Sequence, residues 1–159
     1  MDEIRYRETV EASRSADALL GGAAALAFLI AVVLFAGGEV LSAVIAAVVG
    51  VAMFAAFRTF STLVLEVDDR ELRASFGSFQ QSVRLQDVTA VAVERYAWLP
   101  HFGWGIRFGL DGRRAYSVPF RRTGVQVDVP KVSWYFSSAQ PEALAAALQG
   151  VLDERRDAG

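Results

Sequence analysis

Two apolar runs near the N-terminus constrain this chain more than anything else in it. Ala18 to Ala36 reads ALLGGAAALAFLIAVVLFA, and Val40 to Phe57 reads VLSAVIAAVVGVAMFAAF. As helices of about 19 and about 18 residues, each reaches close to the roughly 30 Å of a bilayer's hydrocarbon core. Glu39 is the only ionisable side chain between Asp17 and Arg58. Gly37, Gly38 and Glu39 separate the runs. Glycine accommodates a sharp reversal, and the carboxylate keeps the turn at the water boundary. The expected element is a transmembrane helical hairpin over 18–57, with helices 18–36 and 40–57. A cleavable signal peptide fits poorly, because Asp2, Glu3, Glu8, Glu11 and Asp17 precede the first run and a second run follows at once. A buried hairpin in a soluble protein would need a larger partner to cover helices that are apolar on all sides.

Small residues recur four apart in both runs: Gly21 and Ala25, Ala43 and Ala47, Ala46 and Gly50. That spacing lets helix backbones approach closely, either within the hairpin or between two copies of the chain in a homo-oligomer. Arg5, Arg7 and Arg14 precede the first run and Arg58 follows the second, while the turn has no Lys or Arg. The positive-inside rule then puts both termini in the cytoplasm, with the chain crossing the cell membrane twice. Residues 1–17 form a cytoplasmic N-terminal segment. Ile4, Tyr6 and Val10 hint at alternation there, so a short strand and a frayed extension both remain open.

Residues 59–159 read as a soluble domain. Leu63, Leu65 and Val67 share one face, Leu72, Ala74 and Phe76 the next, with an Asp68-Asp69-Arg70 turn between them. Further segments at Phe79–Leu85, Val88–Tyr96, Gly105–Leu110, Arg114–Pro119, 125–129 and 132–136 bring the expected strands to about seven. Around Asp111-Gly112, a three-residue loop from Asp111 to Arg113 would pair Phe108 with Tyr116 and Ile106 with Val118, gathering large apolar side chains on one face. Pro141 and Glu142 suit a helix start, and Leu144, Ala147, Leu148, Val151 and Leu152 form an apolar stripe, so a helix is expected over 141–155.

Within this domain, VDDRELRASFG (Val67–Gly77), LQDVTAVAV (Leu85–Val93), GWGIR (Gly103–Arg107), AYSVP (Ala115–Pro119), GVQVDV (Gly124–Val129) and SSAQPEALAAAL (Ser137–Leu148) form a series. The series resembles the bacterial pleckstrin-homology-like (PH-like) domains that follow a pair of transmembrane helices. The resemblance implies about seven antiparallel strands in a partly open α+β barrel capped by the C-terminal helix. It implies membrane placement more than any activity. PH domains of the phosphoinositide-binding type use basic loops around the first strands, whereas the corresponding turn here carries Asp68 and Asp69.

The chemistry-bearing residues are few. There is no cysteine and one histidine, His101, which excludes disulfides, thiolate metal sites and a histidine-rich site within one chain. The net charge of −2 and pI of 5.4 give no broadly basic surface for nucleic acid. No nucleophile elbow, phosphate loop, zinc helix or cofactor motif is present. Asp68, Asp69 and Glu71 suggest a divalent site or, more simply, a solvated turn. His101 lies among aromatics, of which Trp98, Phe102 and Trp104 suit either a membrane interface or the closed end of a barrel. Arg113 and Arg114 at one hairpin tip, with Arg121 and Arg122 in the next connection, are candidate contacts for anionic lipid or a partner, or plain surface arginines. The expected function is non-enzymatic: a membrane protein presenting a PH-like domain for protein interaction or assembly, with binding of anionic lipid headgroups as the alternative.

Overall fold

The computed structural model describes residues 4–95, 104–109 and 112–157. Its first element is a strand, β1 (Ile4–Glu11), which leads directly into helix α1 (Arg14–Ala36). Ser13 starts the helix, its Oγ accepting from the Ala16 N–H at 3.3 Å. Gly37 and Gly38 turn the chain, Gly38 with φ 87°, and helix α2 (Val40–Phe60) returns it to strand β2 (Thr62–Asp68). β2 then pairs antiparallel with β1, from Glu11 opposite Thr62 to Ile4 opposite Asp68. The helical pair is therefore the loop of a β-hairpin, inserted between two neighbouring strands of one sheet. Its base is closed by the Ala12 N–H donating to the Ser61 carbonyl at 2.7 Å.

The first sheet has four strands in sequence order, with β3 (Glu71–Phe76) and β4 (Phe79–Arg84) continuing the antiparallel meander. A short 3-10 turn (Leu85–Asp87) leads into the second sheet. That sheet contains β5 (Ala90–Arg95), β6 (Gly105–Phe108), β7 (Arg114–Ser117), β8 (Thr123–Val129) and β9 (Val132–Ser137), in the order β5-β8-β9-β7-β6. Helix α3 (Pro141–Asp157) ends the chain. The core lies between the sheets and beneath α3. Leu63, Leu65, Leu72 and Phe76 meet Val125, Val127 and Phe136, and Leu144, Leu148 and Val151 cover them. The apolar stripe read from the sequence thus becomes the buried face of α3.

Four expectations about the strands need correction. The described part of residues 59–159 holds eight strands rather than about seven, β1 adds a ninth, and they form two separate sheets of four and five strands rather than one partly open barrel. The pairing is also not wholly antiparallel: β7 runs parallel to β9, with Arg114 opposite Trp134 and Tyr116 opposite Phe136. The β6–β7 register differs as well. Ile106 faces Tyr116 and Phe108 faces Arg114, two residues from the expected pairing. The Gly109 N–H reaches the Arg113 carbonyl at 2.6 Å, and Gly112, with φ 81°, is the last residue before that closing pair. The turn therefore forms where glycine supplies the left-handed position. A shift of two keeps every side chain on its expected face, so face grouping alone does not fix this register.

The junction between helices and sheets is packed. Phe60, the last residue of α2, lies edge-on to Phe76 at 5.4 Å and stacks on Phe79 at 6.1 Å. Gly105 has φ 86°, and a Cβ there would stand 3.1 Å from the Phe60 ring. The ring is thus clamped between the two sheets, and the domain sits on the helices without a linker.

This topology has a direct consequence. Replacing residues 13–59 by a short glycine-containing loop should give a soluble, cooperatively unfolding domain, because Ala12 and Ser61 are already hydrogen-bonded neighbours. Deleting residues 1–60 should instead leave β2 as an open edge, and the product should aggregate. Size-exclusion chromatography with circular dichroism compares the two; equal solubility of both products would contradict β1 as an integral strand.

Candidate functional site

The strands give the domain two ends of different chemistry. β2 leaves the helix base at Thr62 and reaches Asp68 after seven residues. At about 3.3 Å per residue, the far end lies some 20 Å from the helices.

At the helix end, Trp104 packs against Phe120 with ring centroids 4.9 Å apart. Arg121 is partly buried and its Nη2 donates to the Glu11 carbonyl at 3.4 Å, while Arg122 is exposed. Arg14 opens α1 and Arg58 lies in the last turn of α2. Trp98, Phe102 and His101 lie outside the described residues, so of the expected aromatic set Trp104 alone is placed.

Arg113 and Arg114 stand at the opposite end of β7. The Arg114 guanidinium sits 4.9 Å from the Trp134 ring and 5.4 Å from the Phe108 ring. Such contacts are worth about 0.5–1 kcal/mol at an exposed site. The two arginine pairs therefore do not form one pocket.

The far end holds a site that the sequence did not single out. Arg70, Arg73, Arg84 and Arg155 surround a groove of about 510 Å³, with Glu71 and Gln86 completing the wall. The β3–β4 register accounts for the cluster: Glu71 opposite Arg84 brings the start of one strand to the end of the next, and the last turn of α3 adds Arg155. Arg73 is committed, pairing with Asp68 at 3.0 Å and with Glu71. Its hydrogen bond to Glu71 holds the guanidinium above its usual pKa. Arg84 and Arg155 make no ion pair among the described residues. The groove is thus a concave basic surface with at least two cations available to an anionic counterpart.

The acidic turn has structural duties. Asp68 is buried and its Oδ1 accepts from the N–H groups of Arg70 and Glu71 at 2.7 and 2.8 Å. Asp69 and Glu154 hold Arg5 at 2.8 and 3.1 Å. Among the described residues, no group of three or more metal-ligating side chains could hold a metal ion.

One buried carboxylate superficially resembles a catalytic group. Glu8 lies on the inward face of β1, only 8% exposed. It accepts from Ser138 Oγ at 2.6 Å, the Ala139 and Gln140 N–H groups at 2.7 and 3.1 Å, and Tyr6 OH at 3.1 Å. Those backbone donors immediately precede Pro141, so Glu8 ties β1 to the start of α3, where a helix favours negative charge. Burial, with the Glu8 charge and hydrogen bond added, pushes the Tyr6 phenol up to about 12.

Within the hairpin, Ala43 and Gly50 are buried and Ala46 and Ala47 half-buried, all on the face of α2 toward α1. The facing residues on α1 are Ala24, Ala27 and Ala31; a Cβ on Gly50 would meet that of Ala27 at 3.3 Å. Gly21 is half-buried, and Ala25 is exposed, so Ala25 does not pack against α2 within the hairpin. The four-residue rule fits more than one register in so alanine-rich a helix, and the pair facing α2 is Ala27 and Ala31, two positions round from Gly21 and Ala25.

No family model matches the chain, and neither a curated protein nor a solved structure matches it.

The Glu8 cluster generates a pH dependence with a fixed sign. The folded state favours neutral Tyr6, so its contribution is complete below pH 10.0 and is lost as pH rises toward about 12. Tyr6→Phe should flatten that alkaline loss in denaturant titrations. Glu8→Ala should cost about 2–3 kcal/mol at neutral pH, because it orphans the buried donors before α3. Wild-type stability in Glu8→Ala would remove the link between β1 and α3.

Proposed function

We propose that this is a non-enzymatic integral membrane protein. On this reading, α1 and α2 span a cell membrane and the two-sheet, PH-like domain stands on the cytoplasmic face. The far-end arginine groove then receives an acidic surface of a protein partner. The observation that carries the proposal is the position of the groove. About 20 Å of strand separates it from the helices, well beyond the Debye length of about 8 Å at physiological ionic strength, so headgroups of the same membrane are out of its reach. A counter-charge has to come from the aqueous side.

The helices support the placement. They run 23 and 21 residues, and only 11% of the apolar window of each is buried within the protein. Phe35 and Leu41 are 66% and 76% exposed. In water, so continuous an apolar surface would drive aggregation, whereas lipid matches it. The basic flanks at Arg14 and Arg58, set against a turn with no Lys or Arg, favour cytoplasmic termini. A second reading, contact with anionic headgroups, rests on Arg121, Arg122, Trp104 and Phe120, which lie at the helix end.

Two measurements test the proposal. The chain has no cysteine, so Glu39→Cys and Lys131→Cys are single labelling sites. An impermeant maleimide should label position 39 on intact cells and position 131 only after permeabilisation; the reverse pattern inverts the topology. For the groove, a photo-crosslinker at Gln86 in native membranes should yield an adduct with one acidic protein. Arg84→Glu with Arg155→Glu should reduce that adduct roughly tenfold, the order expected for reversing close interfacial charges. A crosslinker at Lys131 should not give it. An adduct indifferent to the charge reversal would sink the partner assignment.

A further inference from the structure

A second groove lies at the helix end, between the hairpin and the β6–β7 edge, with a volume of about 400 Å³. One wall belongs to the helices: Leu20 from α1, with Met53, Ala56 and Phe57 from α2. The other belongs to the domain: Trp104, Ile106 and Pro119, with Phe60 at the junction. Arg107 is the one charged residue of the lining. Its Nε donates to the Trp104 carbonyl at 2.9 Å, which fixes the guanidinium beside the groove, and it makes no ion pair among the described residues.

Depth separates the apolar part from the charge. Met53 precedes Phe60 by seven positions in α2, which is about 10 Å along a helix axis. The groove therefore starts within the apolar run and ends at a cation level with the first residues of the sheet. Its long dimension follows the change from hydrocarbon to headgroup that a bilayer presents. The Trp104–Phe120 ring pair stands beside it, at the depth aromatic side chains favour.

We infer that this groove holds an acyl chain of an anionic membrane phospholipid, with Arg107 against its phosphate. Continuity with the apolar helix surface points to the chain, and a lone cation with no acidic residue in the lining favours a headgroup whose phosphate charge is not offset by an ammonium of its own. The inference rests on the membrane placement proposed above but not on the protein partner. Arg107 reaches the phosphate through charge-assisted hydrogen bonds, for which a planar guanidinium is suited. A lipid so held would wedge the domain at a fixed height on the bilayer.

The test uses the full chain in nanodiscs of equal parts phosphatidylglycerol and phosphatidylcholine, released into native mass spectrometry. One phosphatidylglycerol should remain bound, favoured over phosphatidylcholine by roughly tenfold, the factor that one good charged contact supplies. Ala56→Trp and Met53→Trp, which fill the groove from two positions, should both lose the retained lipid. Arg107→Gln should keep a lipid but lose the preference for the anionic one. Nanodisc incorporation of each variant reports separately on membrane placement, and thermal unfolding reports on folding. Retention unchanged in both tryptophan variants overturns the inference, as does an undiminished anionic preference in Arg107→Gln. A wild-type dimer that the tryptophan variants split with no change in lipid would assign the groove to a second copy of the chain, and so overturn it too.

Discussion

The antiparallel pairing of β1 with β2 is the interaction on which the rest depends. It closes the base of the helical hairpin and opens the first sheet with the same hydrogen bonds. An ordinary membrane anchor connects to its domain through one linker, and the domain can swing. Here two strands leave the helices side by side, joined from Glu11–Thr62 to Ile4–Asp68. Rotation of the domain about the helices would have to break that ladder or pull Phe60 from between Phe76 and Gly105. The orientation of the domain is therefore set by the fold itself, and each end of the sheets has a defined distance from the helices.

How much of this was legible follows from what each element needs. The helices were plain because apolarity on all sides, over about 20 residues, suits a bilayer and little else. The α3 stripe and strands β2 and β3 were plain because one face of each is buried and the other is wet. β1 was half hidden because Glu8 occupies its inward row. A carboxylate there breaks the alternation, yet it is buried because Ser138 and the backbone before α3 complete its hydrogen bonds, a tertiary fact no local pattern carries. The parallel pairing of β7 and β9 was hidden for a related reason. β8 and β9 form a local hairpin, and nothing in β7 specifies which edge of it β7 will join.

The candidate sites divide along the same line. Arg113-Arg114 and Arg121-Arg122 attract notice as adjacent pairs, but they flank β7 at its two ends and so cannot share one pocket. One member of the first pair stacks on Trp134 and Phe108, and one member of the second donates to the Glu11 carbonyl. The groove with cations to spare is assembled from residues 70, 73, 84 and 155, scattered in sequence and joined by the β3–β4 register and the end of α3. No spacing rule finds such a set. A strand pairing with Glu71 opposite Arg84 would have located all but Arg155.

The two grooves sit at opposite ends of the sheets, and this limits how they can influence one another. A ligand at the helix end has no route to the far groove by electrostatics, since the separation exceeds the screening length. The remaining route is mechanical, through Phe60, Phe76, Tyr116 and Phe136, whose rings follow one another at 5.4, 6.0 and 5.8 Å across the core. A close-packed series of rings transmits a displacement only if it has a second arrangement to adopt. The Phe60 ring lies so near Gly105 that a Cβ there would stand 3.1 Å from it, while Phe76 and Phe79 pack it from the other sheet. The series therefore acts as a brace. The domain's contribution is to hold a basic surface at a fixed distance from the helices, about 20 Å along the strands.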